Sequence, residues 1–212
     1  MAQIVLDMGS GNTCKNDWSY AKKMIDTVAE INNGKHEVIF KWQLFFEEPP
    51  NVPLSPEIFD HAFHYAKGRG YQTTSSVFDL ASMRFLCRYE VPFIKIACRP
   101  RLYWLIGEIP RKFLVVVSHY QNSDGPDGVP YPMFGRELYM KCVPHYPAKL
   151  EEYGEMDYGA YSDHTEGLAL WNARKDTIKM WEKHFILEDD STNPDSAGHA
   201  IKPDLLREVI GA

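Results

Sequence analysis

Short apolar, β-branched runs alternate along the chain with longer segments in which apolar residues recur at helical spacing. The first run covers residues 4–8, and the first helical segment covers residues 18–31 and ends before Asn33-Gly34. Together they predict a β-α unit. Further strands are predicted over residues 37–43, 71–77, 92–98, 113–118, 138–143 and 177–184, with another ending at Tyr161 or Ser162. Further helices are predicted over residues 57–67, 80–89, 101–109 and 203–210.

Eight strands joined mostly by helices place the chain in the α/β class and favour a parallel sheet closed into a compact (β/α)8 barrel, the TIM barrel. A doubly wound open sheet is the alternative. Barrels of this kind usually need about 250 residues, so a chain of 212 requires shortened connections. Residues 120–135, rich in Gly, Pro, Asp and Asn, predict a loop in place of the fifth helix. We expect one domain over residues 1–212.

Charge and cysteine usage narrow the classes of partner. The net charge of −6 is spread along the chain without a basic block, which argues against nucleic acid as a partner. No apolar run approaches the roughly 18–20 residues of a membrane span, so no membrane partner is expected. The four cysteines form no C-x-x-C pair, and the first residues lack the features of a secretory signal. A cytoplasmic location is therefore expected.

Polar residues stand where most of the predicted strands end. In a parallel barrel these side chains converge on one pocket. Lys41 and Lys95 lie inside apolar runs, where an unpaired ammonium would be costly, so each needs an anionic partner. In one interpretation the partner is a structural carboxylate, such as Asp7 or Asp163. In the other it is the phosphate or carboxylate of a ligand, which is favoured because two lysines occur together with hydroxyls and an amide. The strand-end set is Asp7, Lys41, Gln43, Ser75, Ser76, Lys95, Ser118, Tyr146, His164 and His184.

His164 and His184 follow the seventh and eighth strands and could hold one metal ion between them. A single strand-end histidine is more often a hydrogen-bonded core residue, but a pair favours a metal site. Two protein ligands would leave positions open for water and substrate, which suits a Lewis acid. Oxygen-rich remaining ligands favour manganese, with magnesium or zinc as alternatives.

Several motifs occur in a consistent order along nearly the whole chain, and together they resemble those of the N-acetylneuraminate (sialic acid) synthase family. The resemblance implies a metal-bearing (β/α)8 barrel that condenses phosphoenolpyruvate with an amino-sugar aldehyde. The motifs are Phe40-Lys41-Trp42-Gln43, Ser75-Ser76-Val77-Phe78-Asp79, Val91-Pro92-Phe93-Ile94-Lys95-Ile96, Tyr146-Pro147, Ser162-Asp163-His164-Thr165, Glu182-Lys183-His184-Phe185, Pro194-Asp195 and His199-Ala200.

The resemblance also implies roles for individual residues. His164 and His184 would bind the metal, and Tyr146 and Asp195 would lie on the sugar side, with Asp195 handling a proton or anchoring a hydroxyl. Lys95 would interact with the negative charge that shifts as phosphate departs. This role places Lys95 with Tyr146 and Asp195 among the catalytic candidates. Phosphoenolpyruvate would be bound by Lys41, Gln43, Ser76, Lys95 and Ser118, and Asp7, Arg99 and Ser162 complete the predicted substrate-binding set.

The chain departs from the family pattern at several places. Lys95-Ile96-Ala97-Cys98-Arg99-Pro100 replaces Lys-Ile-Gly-Ser-Gly-Glu, which removes a phosphate-side serine and a sugar-binding glutamate; Arg99 could take over part of the anion binding. Asp7-Met8-Gly9 replaces Glu-Ile-Gly, and Pro144 replaces an asparagine. The family's C-terminal antifreeze-like domain is not expected, because the chain ends at Ala212. A chain without this domain could still form a homodimer.

The leading hypothesis is therefore a phosphoenolpyruvate-dependent transferase that acts on a sugar aldehyde resembling N-acetylmannosamine. Two alternatives stay open. The chain could be a divergent barrel that binds a metal or an anion without turnover, or a metal-dependent aldolase or lyase that uses the same polarised carbonyl.

Overall fold

The computed structural model describes residues 1–120, 135–155 and 157–211. Eight parallel strands close into a barrel in chain order, with β1 paired to both β2 and β8. The predicted (β/α)8 fold is confirmed, and the open sheet is excluded. The strands are β1 (Gln3–Asp7), β2 (Glu37–Leu44), β3 (Gln72–Val77), β4 (Ile94–Ile96), β5 (Val115–His119), β6 (Glu137–Cys142), β7 (Ala160–Asp163) and β8 (Met180–His184).

Helices cover the outside of the barrel. The longest is amphipathic: its N-cap Asp17 accepts from the backbone N–H groups of Ser19 and Tyr20, and Met24, Ile25 and Val28 on one face are fully buried. The helices are α1 (Gly11–Cys14), α2 (Trp18–Ile31), α3 (Pro56–Gly68), α4 (Leu80–Leu86), α5 (Leu105–Glu108), α6 (Ala169–Arg174) and α7 (Pro203–Ile210). None of the helices in the described ranges has the length and apolar character of a transmembrane span.

The connections after β4 and β6 are short. The helix predicted over residues 101–109 is a 3-10 turn, Pro100–Leu102, followed by the single turn of α5, and β6 leads to β7 through another 3-10 turn, Leu150–Tyr153. The predicted loop in place of the fifth helix falls largely on residues 121–134, outside the described residues. Shortened connections of this kind let a barrel fit in a chain of 212 residues.

Alternation along the strands builds the barrel interior in two levels. At the lower level, inward-facing apolar side chains form a buried cluster of Val5, Ile39, Phe93, Val116, Met140, Ala160 and Met180. Because side chains of a strand alternate between its two faces, the residue two positions further on also points inward. That residue is a cysteine after Met140 and a charged or hydroxyl residue after each other member of the cluster. The seven residues are Asp7, Lys41, Lys95, Ser118, Cys142, Ser162 and Glu182. The alternation therefore places a polar layer on an apolar floor.

Candidate active site

A cavity of about 150 Å³ opens at the carboxyl ends of the strands. Except for Asp195 and Ser75, every predicted site residue lines this cavity; Asp195 contacts the lining residue His184, whereas Ser75 Oγ donates to the Trp42 carbonyl oxygen at 2.8 Å. The barrel thus brings together residues that lie far apart in the sequence. The predicted residues that line it are Asp7, Lys41, Gln43, Ser76, Lys95, Arg99, Ser118, Tyr146, Ser162, His164 and His184.

Lys41, on β2, is held by side chains of both neighbouring strands, β1 and β3. Its Nζ donates to Asp7 Oδ2 at 2.6 Å and to Ser76 Oγ at 2.9 Å, and Gln43 Nε2 donates to the same Asp7 oxygen at 3.0 Å. Burial alone would lower the pKa of Lys41, but the carboxylates of Asp7 and Glu182 raise it above its ordinary value. A structural carboxylate therefore does satisfy this ammonium, and the lysine stays charged.

Lys95 is paired across the barrel. Its Nζ donates to Glu182 Oε2 at 2.6 Å, and Ser162 Oγ donates to the other oxygen, Oε1, at 2.9 Å. Burial opposes the charge on Glu182, yet Lys41 and Lys95 lower the pKa of its carboxyl to about 2. Glu182 is a pocket residue that was not among the predicted site residues, although alternation between Met180 and His184 required it to point inward.

Asp163, the other carboxylate considered as a lysine partner, lies outside the cavity. Its Oδ1 is 3.3 Å from Lys183 Nζ, and its Oδ2 accepts from Trp181 Nε1 at 2.9 Å. These outward-facing groups stabilise the layer between strands and helices. They take no part in the pocket.

Arg99 lies at the rim and is also engaged. Its Nη1 is 2.5 Å from Glu48 Oε1, Arg101 shares that carboxylate at 2.6 Å, and the guanidinium carbon lies 5.2 Å from the centre of the Phe78 ring. All three predicted cationic anion-binding groups therefore have carboxylate partners within the chain. An anionic ligand would have to share or displace these pairings.

Ser118 differs from the other hydroxyls of the pocket. Its side chain is 1% exposed, and its Oγ has no hydrogen-bond partner among the described residues. A buried hydroxyl without a partner is unfavourable, so a ligand atom at this place would supply the hydrogen bond that Ser118 does not make within the chain. We call Lys41, Gln43, Ser76, Lys95 and Ser118 the anion side of the pocket.

His164 presents a neutral imidazole. Its Nδ1 lies 2.6 Å from the carbonyl oxygen of Val143, which accepts the ring N–H, and Nε2 lies 3.5 Å from Ser162 Oγ. Burial, with His184 close by, holds the pKa of His164 well below its ordinary value. The backbone carbonyl therefore fixes the tautomer and leaves the lone pair of Nε2 free for a ligand.

His184, Asp195 and His199 form a second group next to His164. Asp195 Oδ1 lies 2.8 Å from His184 Nδ1 and 3.5 Å from His199 Nε2, and Thr13 Oγ1 donates to Asp195 Oδ2 at 2.8 Å. The His184 contact is close but is not aligned as a hydrogen bond. One potential ligand atom from each of the three groups lies within 4.8 Å of the other two.

Charge favours a cation at this group. Although burial opposes ionisation, His184 and His199 hold the pKa of Asp195 far below its usual range. Both Nδ1 atoms, of His184 and of His199, are buried without an aligned hydrogen-bond partner among the described residues. Two imidazoles and an ionised carboxylate suit a divalent transition metal. We call His164, His184, Asp195 and His199 the histidine side.

His199 is the residue of the histidine side that the sequence analysis missed as a ligand. It follows the 3-10 turn Pro194–Ser196, in which the Asn193 side chain accepts from the Asp195 N–H. Because Asp195 and His199 are four residues apart with only a turn between them, both side chains can reach the same place. The four-residue spacing is visible in the sequence, but the directions of the Asp195 and His199 side chains depend on the conformation of the turn between them.

Tyr146 covers the histidine side. Its ring centre lies 4.3 Å from that of His164, 4.2 Å from that of His199 and 5.7 Å from that of His184. Half of the Tyr146 surface is exposed at the mouth of the pocket. The ring therefore lies between part of the histidine side and solvent.

No family model matches the chain, and no curated protein matches it. Solved structures do. The N-acetylneuraminic acid (sialic acid) synthetase of Leptospira borgpetersenii matches with a TM-score of 0.73 at 18% identity, over 98% of this chain and 80% of that one. The spore coat polysaccharide biosynthesis protein SpsE of Bacillus subtilis matches with a TM-score of 0.71 at 20% identity, over 99% of this chain and 66% of that one.

A phospho-2-dehydro-3-deoxyheptonate aldolase (DAHP synthase) of Thermotoga maritima matches less closely, with a TM-score of 0.63 at 10% identity, over 99% of this chain and 67% of that one. At these identities the likeness establishes the fold and not the reaction. This chain is therefore a (β/α)8 barrel that shares its fold with sialic acid synthase, SpsE and DAHP synthase.

Proposed function

We propose that this chain is a transferase that condenses phosphoenolpyruvate with a sugar aldehyde, N-acetylmannosamine or a close analogue. The products would be inorganic phosphate and a 2-keto-3-deoxy sugar acid. The observation that carries the proposal is that the anion side and the histidine side meet in one pocket at the carboxyl ends of the strands. An anionic nucleophile and a metal-polarised carbonyl need that arrangement.

The anion side would bind phosphoenolpyruvate. Lys41 and Lys95 are charged donors, and the free hydroxyl of Ser118 offers a further hydrogen bond. Asp7 and Glu182 hold the two ammonium groups in place. Arg99 could contribute at the rim if the ligand competes with Glu48. Ser76, Gln43 and Ser162 would complete the hydrogen bonds around the ligand.

In the reaction, carbon 3 of phosphoenolpyruvate would form a bond to the aldehyde carbon. Water would add at carbon 2, and cleavage of the bond between carbon 2 and the phosphate oxygen would release phosphate. Lys95, fixed by Glu182, would stay close to the negative charge that grows on the departing group. Its charge is already in place before the reaction, so little reorganisation is needed.

The histidine side fits a divalent ion, for which we propose manganese, with magnesium or zinc as alternatives. His164, His184, Asp195 and His199 would hold it. When bound, the ion would polarise the aldehyde oxygen as a Lewis acid. Asp195 is ionised, so it would anchor a sugar hydroxyl as a hydrogen-bond acceptor, and handling a proton would require the contacts with His184 and His199 that lower its pKa to loosen. Tyr146 would orient the sugar above the histidines.

The natural partners in this proposal are small molecules, with no nucleic acid and no membrane, and the location is the cytoplasm.

One observation favours a second candidate, a barrel that binds a metal or an anion without turnover. The cations of the pocket already have carboxylate partners, and Pro144 and Cys98 line the pocket beside them. Such a protein would take up ligand and release no product.

The test is phosphate release by the manganese-loaded chain with phosphoenolpyruvate and a panel of sugar aldehydes, N-acetylmannosamine included. We expect release that depends on both the aldehyde and the metal, with loss in His184→Ala and no change in His61→Ala, a variant of an exposed helix residue. Calorimetric binding of phosphoenolpyruvate without release for any aldehyde would support the binding protein instead. Neither binding nor release would refute both.

A further inference from the structure

Thr13, which does not line the cavity, contacts the carboxylate of the histidine side. It lies in α1, is 3% exposed, and its Oγ1 donates to Asp195 Oδ2 at 2.8 Å. The other oxygen of this carboxylate, Oδ1, lies 2.8 Å from His184 Nδ1 and 3.5 Å from His199 Nε2. The two oxygens are therefore used differently: the hydroxyl holds Oδ2, and Oδ1 faces the imidazoles.

The backbone after β1 lets Thr13 approach Asp195 this closely. Gly9 has a φ of +72°, which a residue with a side chain rarely adopts. A Cβ at Gly9 would overlap Thr13 Oγ1 and would lie 2.8 Å from Asp195 Oδ2. Glycine at this position therefore leaves the space in which the hydroxyl and the carboxylate meet.

The segment that carries Thr13 is also anchored to the connection after β2. The Gly11 N–H donates to the Val52 carbonyl oxygen at 2.9 Å, and the Val52 N–H donates to Asn12 Oδ1 at 2.6 Å. Because α1 has only four residues, these contacts contribute more to its position than its own helical hydrogen bonds do. The hydroxyl of Thr13 is thus presented from a fixed backbone.

The hydroxyl proton of Thr13 has two acceptors within reach. Asp195 Oδ2 lies at 2.8 Å, and Asn193 Oδ1, which also accepts from the Asp195 N–H, lies at 3.3 Å. The carboxylate is the nearer acceptor and is ionised, and hydrogen bonds to charged acceptors are the stronger ones. The proton therefore goes to Asp195.

We propose that Thr13 is a positioning residue for the metal site of the histidine side, a role that rests on the proposed function. Its hydroxyl holds Asp195 Oδ2 and so directs Oδ1 to the place between His184 and His199. Carboxylates that bind metals are usually held by such hydrogen bonds, and the loss of these partners weakens metal binding. Thr13 acts through Asp195.

The first experiment measures manganese binding to Thr13→Val and Thr13→Ser by calorimetry. Valine keeps the shape of threonine without the hydroxyl, whereas serine keeps the hydroxyl without the methyl group. We expect Thr13→Val to bind manganese about 10–100-fold more weakly, the range found when partners of metal ligands are removed, and Thr13→Ser to bind like the unaltered chain. A role in packing alone predicts the reverse order.

Thr177→Val is the matched control, because Thr177 is exposed and its hydroxyl donates to the Arg174 carbonyl oxygen at 3.1 Å. It should leave manganese binding unchanged. Equal affinities of Thr13→Val and the unaltered chain would overturn the proposal, as would weaker binding by Thr13→Ser than by Thr13→Val.

The second experiment compares crystal structures of metal-free Thr13→Val and Thr13→Ser. We expect the Asp195 carboxylate to turn away from His184 in the valine variant and to keep its 2.8 Å contact in the serine variant. A carboxylate that stays in place in Thr13→Val would overturn the proposal. If the unaltered chain binds no manganese, the metal site of the proposed function fails, while these structures still decide whether Thr13 orients Asp195.

Discussion

The two sides of the pocket satisfy their polar groups in different ways. On the anion side each lysine meets a buried carboxylate at 2.6 Å, so the charges are balanced without a ligand. On the histidine side His184 Nδ1 lies 2.8 Å from Asp195 Oδ1 without alignment as a hydrogen bond, and His199 Nδ1 is buried without a partner among the described residues. Isolated buried polar groups are costly, whereas a paired set is stable as it stands.

Buried charge therefore has a different role on each side of the pocket. Removing one partner of the Lys41–Asp7 or Lys95–Glu182 pair would leave a buried charge uncompensated, and a ligand can only rearrange these pairs. The histidine side instead groups imidazoles with an ionised carboxylate, a set of donors that suits a divalent cation. We therefore expect substitutions on the anion side to affect folding most, and substitutions on the histidine side to affect ligand binding most.

The largest effect should follow the removal of one partner of a buried pair. Glu182→Gln leaves the Lys95 ammonium, which is 1% exposed, without its counter-ion. Such a change destabilises proteins by about 3–5 kcal/mol, and urea unfolding would measure it. The control is Glu90→Gln, which alters the exposed pair of Glu90 with Lys67 and should leave the unfolding free energy unchanged. Equal effects of the two substitutions would contradict the account.

The next effect should be stabilisation by metal. Manganese at a hundredfold excess over its Kd should raise the unfolding free energy by about 2.7 kcal/mol, because it binds only the folded chain. Asp195→Asn should abolish this gain, since it removes the carboxylate between His184 and His199. Thermal unfolding with and without the ion provides the measurement. A gain that persists in the variant would place the ion elsewhere.

A smaller effect is expected when only His199 is altered. His199→Gln should weaken manganese binding by about 10–100-fold, the range found when partners around a metal site are removed, as measured by calorimetry. The metal-free variant should unfold close to the unaltered chain, in contrast to Glu182→Gln. His64→Gln, on the exposed face of α3, is the control. Unchanged metal affinity would remove His199 from the site.

The smallest effect on stability should come from Ser118→Ala. Because Ser118 Oγ has no partner among the described residues, the variant should be as stable as the unaltered chain or slightly more so. Its affinity for phosphoenolpyruvate should fall by about 1.5–3 kcal/mol, the worth of a hydrogen bond to a charged group. Calorimetry of both proteins would decide. A loss of stability without loss of affinity would refute the assignment.

The alternation of strand residues explains why much of the fold and the site could be predicted from the sequence. A polar residue two positions after an inward apolar one must also point inward, which is how Lys41 and Lys95 could be placed, and His184, four positions after Met180, lies on the same face. Strand order then brought them together. The histidines that motivated a metal site do lie next to each other, with ring centres 5.7 Å apart.

Contacts across the barrel and within loops could not be predicted in the same way. Lys95 and Glu182 belong to opposite strands, 87 positions apart, and local pattern does not reveal such a partner. Arg99 turns towards Glu48 in the connection after β2, so a residue expected to bind anions is already paired. His199 reaches the site only through the conformation of the turn at Pro194–Ser196.

The most direct test of the two-sided pocket is a crystal of the chain soaked with manganese and phosphoenolpyruvate, with data collected at the manganese absorption edge. We predict one anomalous peak in contact with His184 and Asp195, and phosphoenolpyruvate with its anionic oxygens hydrogen-bonded to Lys95 and Ser118. An ion bound away from His184, or phosphoenolpyruvate absent while Lys95 remains paired with Glu182, would contradict the account.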